Sequence, residues 1–425
     1  MKNKVLSRVL LFVCCLCWTS ASFAAEMNLD AFLLAVRENN PGLQASQKRV
    51  EAAYHAVRAS VASQRPSVGL RGSSSYNTDD SLNRQGVYSL SAAVSHRFDV
   101  TGVYSDQERQ LLLQYNALQA DHLALVNNTL ASAESLYWRS FIARENSVLQ
   151  KEILAQRRED LRITEEKYKQ QLIPRLDVVR AQARVEEAES IVVQADSAFQ
   201  DSLTQLATLA GGQAVTPREE ALLVPSLSVK ASVDAALKTR NDMLSAELAL
   251  ERAHVLKSLA SKGMSPTVDG SVGYTILTDS PASQPAQGEL LFSLSVSMPL
   301  YDGGRTKQDT EDKAKGVEAA ERSLESRRLS VREDVLKART QWEKAVALEA
   351  AKRKQVARSD EELKITQLMY LEGMGAQIDL LNAQVDNQRV RTEHLDAIKE
   401  MYLALVSLRQ AMSEYEPATP ERGAR

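Results

Sequence analysis

The sequence predicts a mainly α-helical chain with short membrane-facing β-strands, in which one structural arrangement occurs twice. The first observation is an internal repeat, since Val94 to Gly102 matches Val296 to Gly304 at an offset of 202 residues. The second is a pair of stretches of about 70 residues without proline, which predicts very long helices. The third is a set of four short segments in which apolar and polar residues alternate, the period of a β-strand.

The first 24 residues resemble an export signal. Three basic residues precede an apolar run from Val9 to Trp18, and small residues at Ser22 and Ala24 provide a cleavage site. This pattern predicts a signal peptide over residues 1–24 and a mature chain that starts at Ala25. The apolar run has about 10 residues, about half of what a membrane-spanning helix needs.

The cysteines and the charge of the mature chain exclude several classes of function. All three cysteines, Cys14, Cys15 and Cys17, lie inside the leader. The mature chain therefore has no thiol for a disulfide, a thiolate metal site or a nucleophile. The formal charge is −3 for the whole chain and −6 once the three basic leader residues are removed. A mildly acidic surface argues against nucleic acid as a partner.

The repeat divides the mature chain into two halves. We predict a first repeat over residues 25–212 and a second over residues 213–413. The tail over residues 414–425 contains two prolines and several charges, and we expect it to be flexible. Further pairs match at the same offset or with a slip of one residue: Tyr168 with Tyr370, Asp177 with Asp379, and Asn40 with Asn241.

Each half is predicted to contain a helix, a pair of strands and a long helical hairpin, in that order. Helical spacing runs from Leu29 to about Gln64 and from Val229 to about Lys262. Each stretch stops before a proline, as expected because the residue before proline disfavours the helical conformation. The hairpins then follow at about 66–99 (strands) and 103–210 (helices) in the first half, and at about 266–301 and 304–413 in the second.

The four predicted strands each have one largely apolar face. The clearest is the last, with Leu290, Phe292 and Leu294 on one face and mostly small polar residues on the other. Such a strand suits a lipid-facing barrel with a wet lumen, but also a half-buried hairpin of a soluble protein. The export signal and the long polar hairpin tips, Asn77 to Gln85 and Thr278 to Gln287, favour the barrel.

The long helices indicate a helical structure far longer than a globular domain. At ~1.5 Å per residue, each stretch of about 70 residues corresponds to on the order of 100 Å. The chain is expected to fold back near Ile173 and Pro174 in the first half, and near Gly373 to Gly375 in the second. Apolar seams beside charged stretches predict coiled-coil-like packing.

Four strands cannot close into a barrel, and an open edge in hydrocarbon leaves backbone groups unpaired at several kcal/mol each. Several chains must therefore share one barrel. The smallest membrane barrels have about eight strands, so two chains suffice and three give twelve. The residues alone do not choose between these two assemblies.

Two segments resemble the TolC-like outer-membrane factor family. The run from Pro299 to Arg305 looks like the segment where these chains pass from β-barrel to helical barrel, and Leu371 to Gln384 resembles their periplasmic tip. The resemblance extends over most of the mature chain. It implies a homotrimer with a shared 12-stranded outer-membrane β-barrel and a long periplasmic α-helical barrel. We expect Gly303, Gly304 and Gly102 to form the barrel-to-tunnel hinge, because glycine tolerates the backbone bend.

The resemblance also implies a function and partners. We expect a passive, gated exit duct in the outer membrane of a Gram-negative bacterium, for a tripartite efflux pump or a type I secretion system. Its partners would be outer-membrane lipid, a periplasmic membrane-fusion adaptor and an inner-membrane pump that supplies the energy. The family performs no catalysis, so no cofactor or metal is expected.

Candidate functional residues lie at the two predicted helical tips. Asp379, Asn382 and Asp386 fall on one helical face, and three copies around an axis would bring like charges together. The family carries a second acidic residue at the position of Asn382, so the charge of that ring is halved here. The remaining candidates are the repeat-related aperture residue Asp177 and the adaptor-contact residues Gly373, Gly375, Pro174 and Arg175.

Two other classes of function fit the sequence less well. Enzymes are disfavoured because the five histidines are isolated and no motif for a metalloprotease, a nucleophile elbow or a phosphate loop occurs. A periplasmic coiled-coil adaptor or scaffold is the stronger competitor. An adaptor has one helical hairpin flanked by compact β domains, whereas this chain has two hairpins, each after a strand pair of membrane length.

Overall fold

A computed structural model describes residues 25–76, 86–218, 232–278, 287–372 and 374–416. The predicted signal peptide, most of both hairpin tips, Gly373 and residues 417–425 of the predicted tail lie outside these ranges. The part of the tail that is described, 414–416, forms a turn and a bend after the last helix.

Helices dominate the described chain, and their order repeats. Within the described residues each half has a three-residue strand, two shorter helices, two longer strands and two long helices, in that order. The helices are α1 (Leu29–Asn39), α2 (Pro41–Ser63), α3 (Val103–Lys169), α4 (Arg175–Leu209), α5 (Val233–Thr239), α6 (Asn241–Ser261), α7 (Arg305–Leu371) and α8 (Gln377–Ala411). The strands are β1 (Ala25–Met27), β2 (Ser67–Tyr76), β3 (Gly86–Phe98), β4 (Val215–Pro217), β5 (Thr267–Thr278) and β6 (Gln287–Ser297).

The first helix of each half is broken, so the expectation of one continuous helix there is wrong. In the first half the break falls at Asn40, whose backbone is extended (φ −68°, ψ 118°). Pro41 follows it and disfavours the helical conformation at Asn40. In the second half the break falls at Arg240 (φ −78°, ψ 125°), where no proline is present. The last strand is also shorter than expected. It ends at Ser297 instead of near residue 301, close to Pro299, which cannot donate to a strand ladder.

The asparagines Asn40 and Asn241, paired by the repeat, make equivalent long-range hydrogen bonds. Asn40 Nδ2 donates to the carbonyl oxygen of Leu209 (3.1 Å), and Asn241 Nδ2 donates to that of Glu416 (2.6 Å). The Asn40 side-chain oxygen also accepts from the backbone N–H of Gly42 (2.9 Å), which caps α2. In each half one asparagine thus connects the start of a helix to the end of a helical hairpin.

Four strands form one antiparallel sheet in the order β2-β3-β5-β6. Its register aligns the alternating patterns of all four strands. One row across the sheet contains Val68, Val94, Val272 and Phe292, and the neighbouring row on the opposite face contains Ser67, Ser95, Ser271 and Ser293. The sheet therefore has an apolar face and a polar face, as the alternation predicts.

The polar face is held by hydrogen bonds between side chains. The hydroxyl groups of Ser67 and Ser95 lie 2.9 Å apart, and those of Ser271 and Ser293 lie 2.8 Å apart. On the same face Arg97 Nε donates to Asp269 across two strands. A polar face satisfied in this way suits contact with water and not with lipid.

The edges of the sheet are open within the chain. β2 and β6 are its outer strands, and within the described ranges neither has a second neighbour. Each edge therefore presents a row of backbone N–H and C=O groups without a strand partner.

The chain divides into two compact units that do not follow the sequence halves. The first unit comprises Met1–Gln44, Asn127–Ala231 and Leu336–Ala411. The second unit comprises Ala45–Val126, Ser232–Val335 and Met412–Arg425. The four-stranded sheet belongs to the second unit, whereas both helical tips belong to the first.

The core of the first unit contains an aromatic cluster on α3 and α8. Trp138 stacks on Tyr402 with ring centroids 3.8 Å apart and packs edge-on against Tyr137 and Phe141. Trp138 Nε1 donates to the buried carboxylate of Glu134 (3.3 Å). Trp138 is 6% exposed. Trp342, at a similar position in the long helix α7 of the second half, is only half-buried.

A two-stranded parallel sheet in the first unit was not predicted. β1 pairs with β4, with Ala25 opposite Val215. The Tyr137 hydroxyl donates to the carbonyl oxygen of Met27 in β1 (3.1 Å), and Arg144 donates to that of Pro217 in β4 (3.2 Å). With three residues in each strand, the sequence pattern was too short to show a period.

Among the residues described, no α-helix is both long and apolar enough to span a lipid bilayer.

Candidate functional site

The strand-to-helix junctions of the second unit are the first candidate site. All three predicted hinge glycines have left-handed backbones: φ is 70° at Gly102, 72° at Gly303 and 86° at Gly304. Other residues rarely adopt this conformation, whereas glycine does so without steric cost. The bend from strand to helix therefore depends on these glycines.

An aspartate caps the long helix at each junction. The Asp99 carboxylate accepts from the backbone N–H groups of Val103 (2.9 Å) and Ser105 (3.1 Å). The Asp302 carboxylate accepts from those of Gly304 (3.0 Å) and Thr306 (2.7 Å). Hydrogen bonding by Thr306, from its side chain and then its backbone, holds the pKa of the Asp302 carboxyl below its ordinary value.

At the first junction, residues at the C-terminal end of α6 make additional contacts with the start of α3. Lys262 Nζ donates to the carbonyl oxygen of Gly102 (3.0 Å) and to the carboxylate of Asp106 (2.8 Å). The Ser258 hydroxyl donates to the same carboxylate (2.7 Å). The Lys262 hydrogen bond lowers the pKa of the Asp106 carboxyl.

We expect Gly303→Ala to lower the free energy of unfolding by about 1–2 kcal/mol, the cost of a left-handed backbone for a residue with a Cβ. A Cβ at Gly303 would meet no atom within 4 Å, so crowding adds nothing. Gly316→Ala is the matched control, because Gly316 is exposed inside α7 and its Cβ is also uncrowded. That variant should instead gain roughly 0.5–1 kcal/mol from helix propensity. Equilibrium unfolding of the two purified variants measures both changes in the free energy of unfolding. If Gly303→Ala were more stable than the wild type, Gly303 would not require a left-handed backbone.

The first helical tip lies between α3 and α4. The chain leaves α3 through Gln171, a non-glycine residue with φ 62°, and the N–H of Leu172 donates back to the carbonyl oxygen of Lys167 (3.0 Å). Pro174 occupies the N-cap of α4, and Pro174 and Arg175 are both exposed. Asp177 lies in the first turn of α4, 3.8 Å from Arg180.

The second helical tip lies between α7 and α8. The backbone N–H groups of Met374 and Gly375 both donate to the carbonyl oxygen of Met369 (2.9 and 3.0 Å). Gly375 does not have a left-handed backbone, but a Cβ there would lie 3.3 Å from the backbone nitrogen of Tyr370. Close packing and not backbone conformation therefore favours glycine at this position.

Three of the four predicted aperture residues share one exposed face of α8. Asp379, Asn382 and Asp386 are all exposed. Asp386 forms an ion pair with Arg389 (3.2 Å), which partly neutralises it, whereas Asp379 forms none within the described residues. Asp379 and Asp177 both occupy the third position of a helix, where a carboxylate also interacts favourably with the helix dipole.

The opposite face of α8 packs against α3 through buried polar residues. Arg157 donates to the amide oxygens of Gln384 (2.9 Å) and Gln388 (3.1 Å). Gln384 Nε2 in turn donates to the carboxylate of Asp160 (3.2 Å). Within the described part of the chain, no group of three or more histidine, aspartate or glutamate residues could hold a metal ion.

Comparison with known proteins identifies the family. The sequence profile of outer membrane efflux proteins matches residues 33–212 and 232–414. The chain belongs to the outer membrane efflux protein family.

Curated relatives and a solved structure agree with this membership. Nodulation protein T of Rhizobium leguminosarum bv. trifolii is 24% identical over 370 residues, which cover 81% of this chain and 76% of that protein. Outer membrane protein TolC of Vibrio cholerae serotype O1 is 23% identical over 416 residues, covering 95% and 94%. The open state of the MtrE outer membrane channel of Neisseria gonorrhoeae is 21% identical, with a TM-score of 0.79 and coverage of 91% and 89%.

Membership in the outer membrane efflux protein family confirms three predictions from the sequence. These are the TolC-like family itself, the combination of long helices with a β part, and the function as an outer-membrane exit duct of efflux systems. The family also implies location in the outer membrane of a Gram-negative bacterium. The competing class, a periplasmic adaptor or scaffold, is disfavoured.

The two capping aspartates and the contacts of Lys262 were not predicted from the sequence. Asp99 and Asp302 had a usable signal, since an aspartate shortly before the first turn of a predicted helix is a typical N-cap. Lys262 had no such signal, because it lies 160 residues from the carbonyl group that it binds.

Proposed function

We propose that three copies of this chain close one twelve-stranded barrel in the outer membrane and continue it into the periplasm as a helical duct. The observation that carries the proposal is the four-stranded sheet with one apolar face and two unpaired edges. In hydrocarbon such edges are stable only if another chain pairs with them. The edges of β2 and β6 run antiparallel, so β6 of one copy can pair with β2 of the next.

The polar face of the sheet supports a water-filled lumen. If the apolar face contacts lipid, the serine rows and the Arg97–Asp269 pair point to the inside of the barrel. The glycine and aspartate junctions then connect each strand pair to a helix of 67 residues, on the order of 100 Å long. That length suits a conduit that extends from the outer membrane into the periplasm.

The helical tips supply the proposed gate and the proposed docking site. Three Asp379 carboxylates near a common axis would favour cations and narrow the aperture, with Asn382, Asp386 and Asp177 around them. Gly373, Gly375, Pro174 and Arg175 at the tip turns are the proposed contacts for a membrane-fusion adaptor. An inner-membrane pump would supply the energy, in a tripartite efflux pump or a type I secretion system.

We expect Asp379→Ala to increase single-channel conductance and to reduce cation selectivity in planar bilayers, because it removes a charge and shortens a side chain at the aperture. Asp386→Ala is the matched control on the same helical face. Since Arg389 already partly neutralises Asp386, this variant should change selectivity less. No channels from the purified chain would contradict the duct itself, whereas unchanged conductance and selectivity in Asp379→Ala would contradict only the gate.

A further inference from the structure

A cleft of about 580 Å³ lies in the first unit, where the ends of α3 and α7 meet the starts of α4 and α8. Its charged lining consists of four cations and two carboxylates, which leaves a surplus of two positive charges. These residues are Arg157, Lys167, Arg180, Arg184, Asp160 and Asp177. The same cleft has apolar walls from Ile163, Leu380 and Leu381. This size and mixture are typical of small-molecule sites.

The guanidinium of Arg157 is buried, and within the described residues it forms no direct ion pair with a carboxylate. The residue is 7% exposed, and its hydrogen bonds go to the neutral amides of Gln384 and Gln388. Burial lowers the pKa of Arg157, and the nearby Asp160 carboxylate offsets this only in part. Asp160, one turn along α3, forms a hydrogen bond with Gln384 and no ion pair with Arg157. A buried charge in this state is stabilised by an added anion.

A second arginine faces the same space. Arg184 of α4 lies close enough to Arg157 to lower the pKa of Arg157 by repulsion. Within the described ranges no hydrogen bond or ion pair of Arg184 is found, whereas Arg158 on α3 forms an ion pair with Glu189 (2.7 Å). Two guanidinium groups that repel each other beside a cleft form a site where an anion gains from both.

We propose that this cleft binds an anionic small molecule with an apolar body. Its carboxylate, sulfonate or phosphate group would lie between Arg157 and Arg184, and its hydrocarbon part would pack against Ile163, Leu380 and Leu381. Arginine is suited to this role because its planar guanidinium can donate two parallel hydrogen bonds to one anionic group. This site concerns one chain and does not depend on the proposed duct.

The test is calorimetric titration of the full-length chain, purified in detergent, with naphthalene-2-sulfonate. The neutral probe naphthalene-2-sulfonamide has the same apolar body and should bind at least about tenfold more weakly, because it lacks the charge. Arg184→Gln should also weaken sulfonate binding by about tenfold, since one charge-assisted contact is lost. Arg158→Gln is the matched control, because Arg158 lies on α3 beside Arg157 but outside the cleft, and it should leave binding unchanged.

Arg184 is the preferred position because it is only half-buried, whereas Arg157→Gln changes a buried network and can affect folding. A bound sulfonate should also raise the midpoint of thermal unfolding of the wild-type chain by more than that of Arg184→Gln at the same sulfonate concentration. Equal affinity for the two probes would overturn the proposal. So would sulfonate binding that Arg184→Gln and Arg158→Gln reduce to the same extent.

Discussion

Phe292→Arg is expected to abolish assembly of the chain in the outer membrane. Phe292 lies in β6 in the apolar row that also contains Val272 and Val94, and it is 69% exposed on the single chain. An arginine that faces lipid near the middle of a barrel wall destabilises the folded barrel by about 2–4 kcal/mol. A trimer contains three copies of the substituted residue, so this cost applies three times. The measurement is the amount of protein in outer-membrane fractions and the share that migrates as a heat-sensitive oligomer.

Ser293→Arg is the control for this prediction. Ser293 is the next residue along β6 but lies on the opposite, polar face, where its hydroxyl contacts Ser271. That variant loses one exposed hydrogen bond and places its charge in the proposed lumen, so it should still assemble. If the two variants assembled equally well or equally badly, the assignment of the two faces would be wrong.

Trp138→Ala is expected to destabilise the first unit by about 3–5 kcal/mol, the usual range for removing a large aromatic side chain from a core. Trp138 contacts Tyr137, Phe141 and Tyr402, and it donates to the buried Glu134 carboxylate. Its removal leaves a cavity and takes one hydrogen bond from that carboxylate. Thermal unfolding followed by near-ultraviolet circular dichroism, together with limited proteolysis, measures the effect.

Trp342→Ala is the matched comparison, because Trp342 is a tryptophan of the same unit on the other long helix. It is only half-buried, so its removal should cost clearly less than that of Trp138. If the two variants lost the same free energy of unfolding, the aromatic cluster around Trp138 would not stabilise this unit more than the contacts of Trp342 do.

The two faces of the sheet were predictable because a strand has a fixed period. Val68, Val94, Val272 and Phe292 occur at alternating positions in four separate segments, and the register places them in one row. The break at Arg240 was not predictable in the same way. No proline or glycine marks it, and the extended backbone there is accompanied by hydrogen bonds from Arg240 to Asp242 and to Asp334, 94 residues further along the chain.

The candidate sites also differ in whether they depend on local backbone conformation or on contacts between distant residues. The bends at Gly102, Gly303 and Gly304 depend on a local backbone conformation, and glycine reports such a conformation directly. The cleft beside Arg157 depends on contacts between α3 and α8, and Arg157 and Gln384 are 227 residues apart. No period or spacing encodes a contact of that kind, so the sequence showed Arg157 as one charged residue among many.

The most direct test of the account is the mass of the assembly extracted from outer membranes. Native mass spectrometry in detergent should give three copies of the mature chain, because the open edges of β2 and β6 must pair between chains and three copies supply twelve strands. A stable monomer, especially one that is soluble without detergent, would contradict the proposal that the sheet of each chain forms one third of a shared barrel.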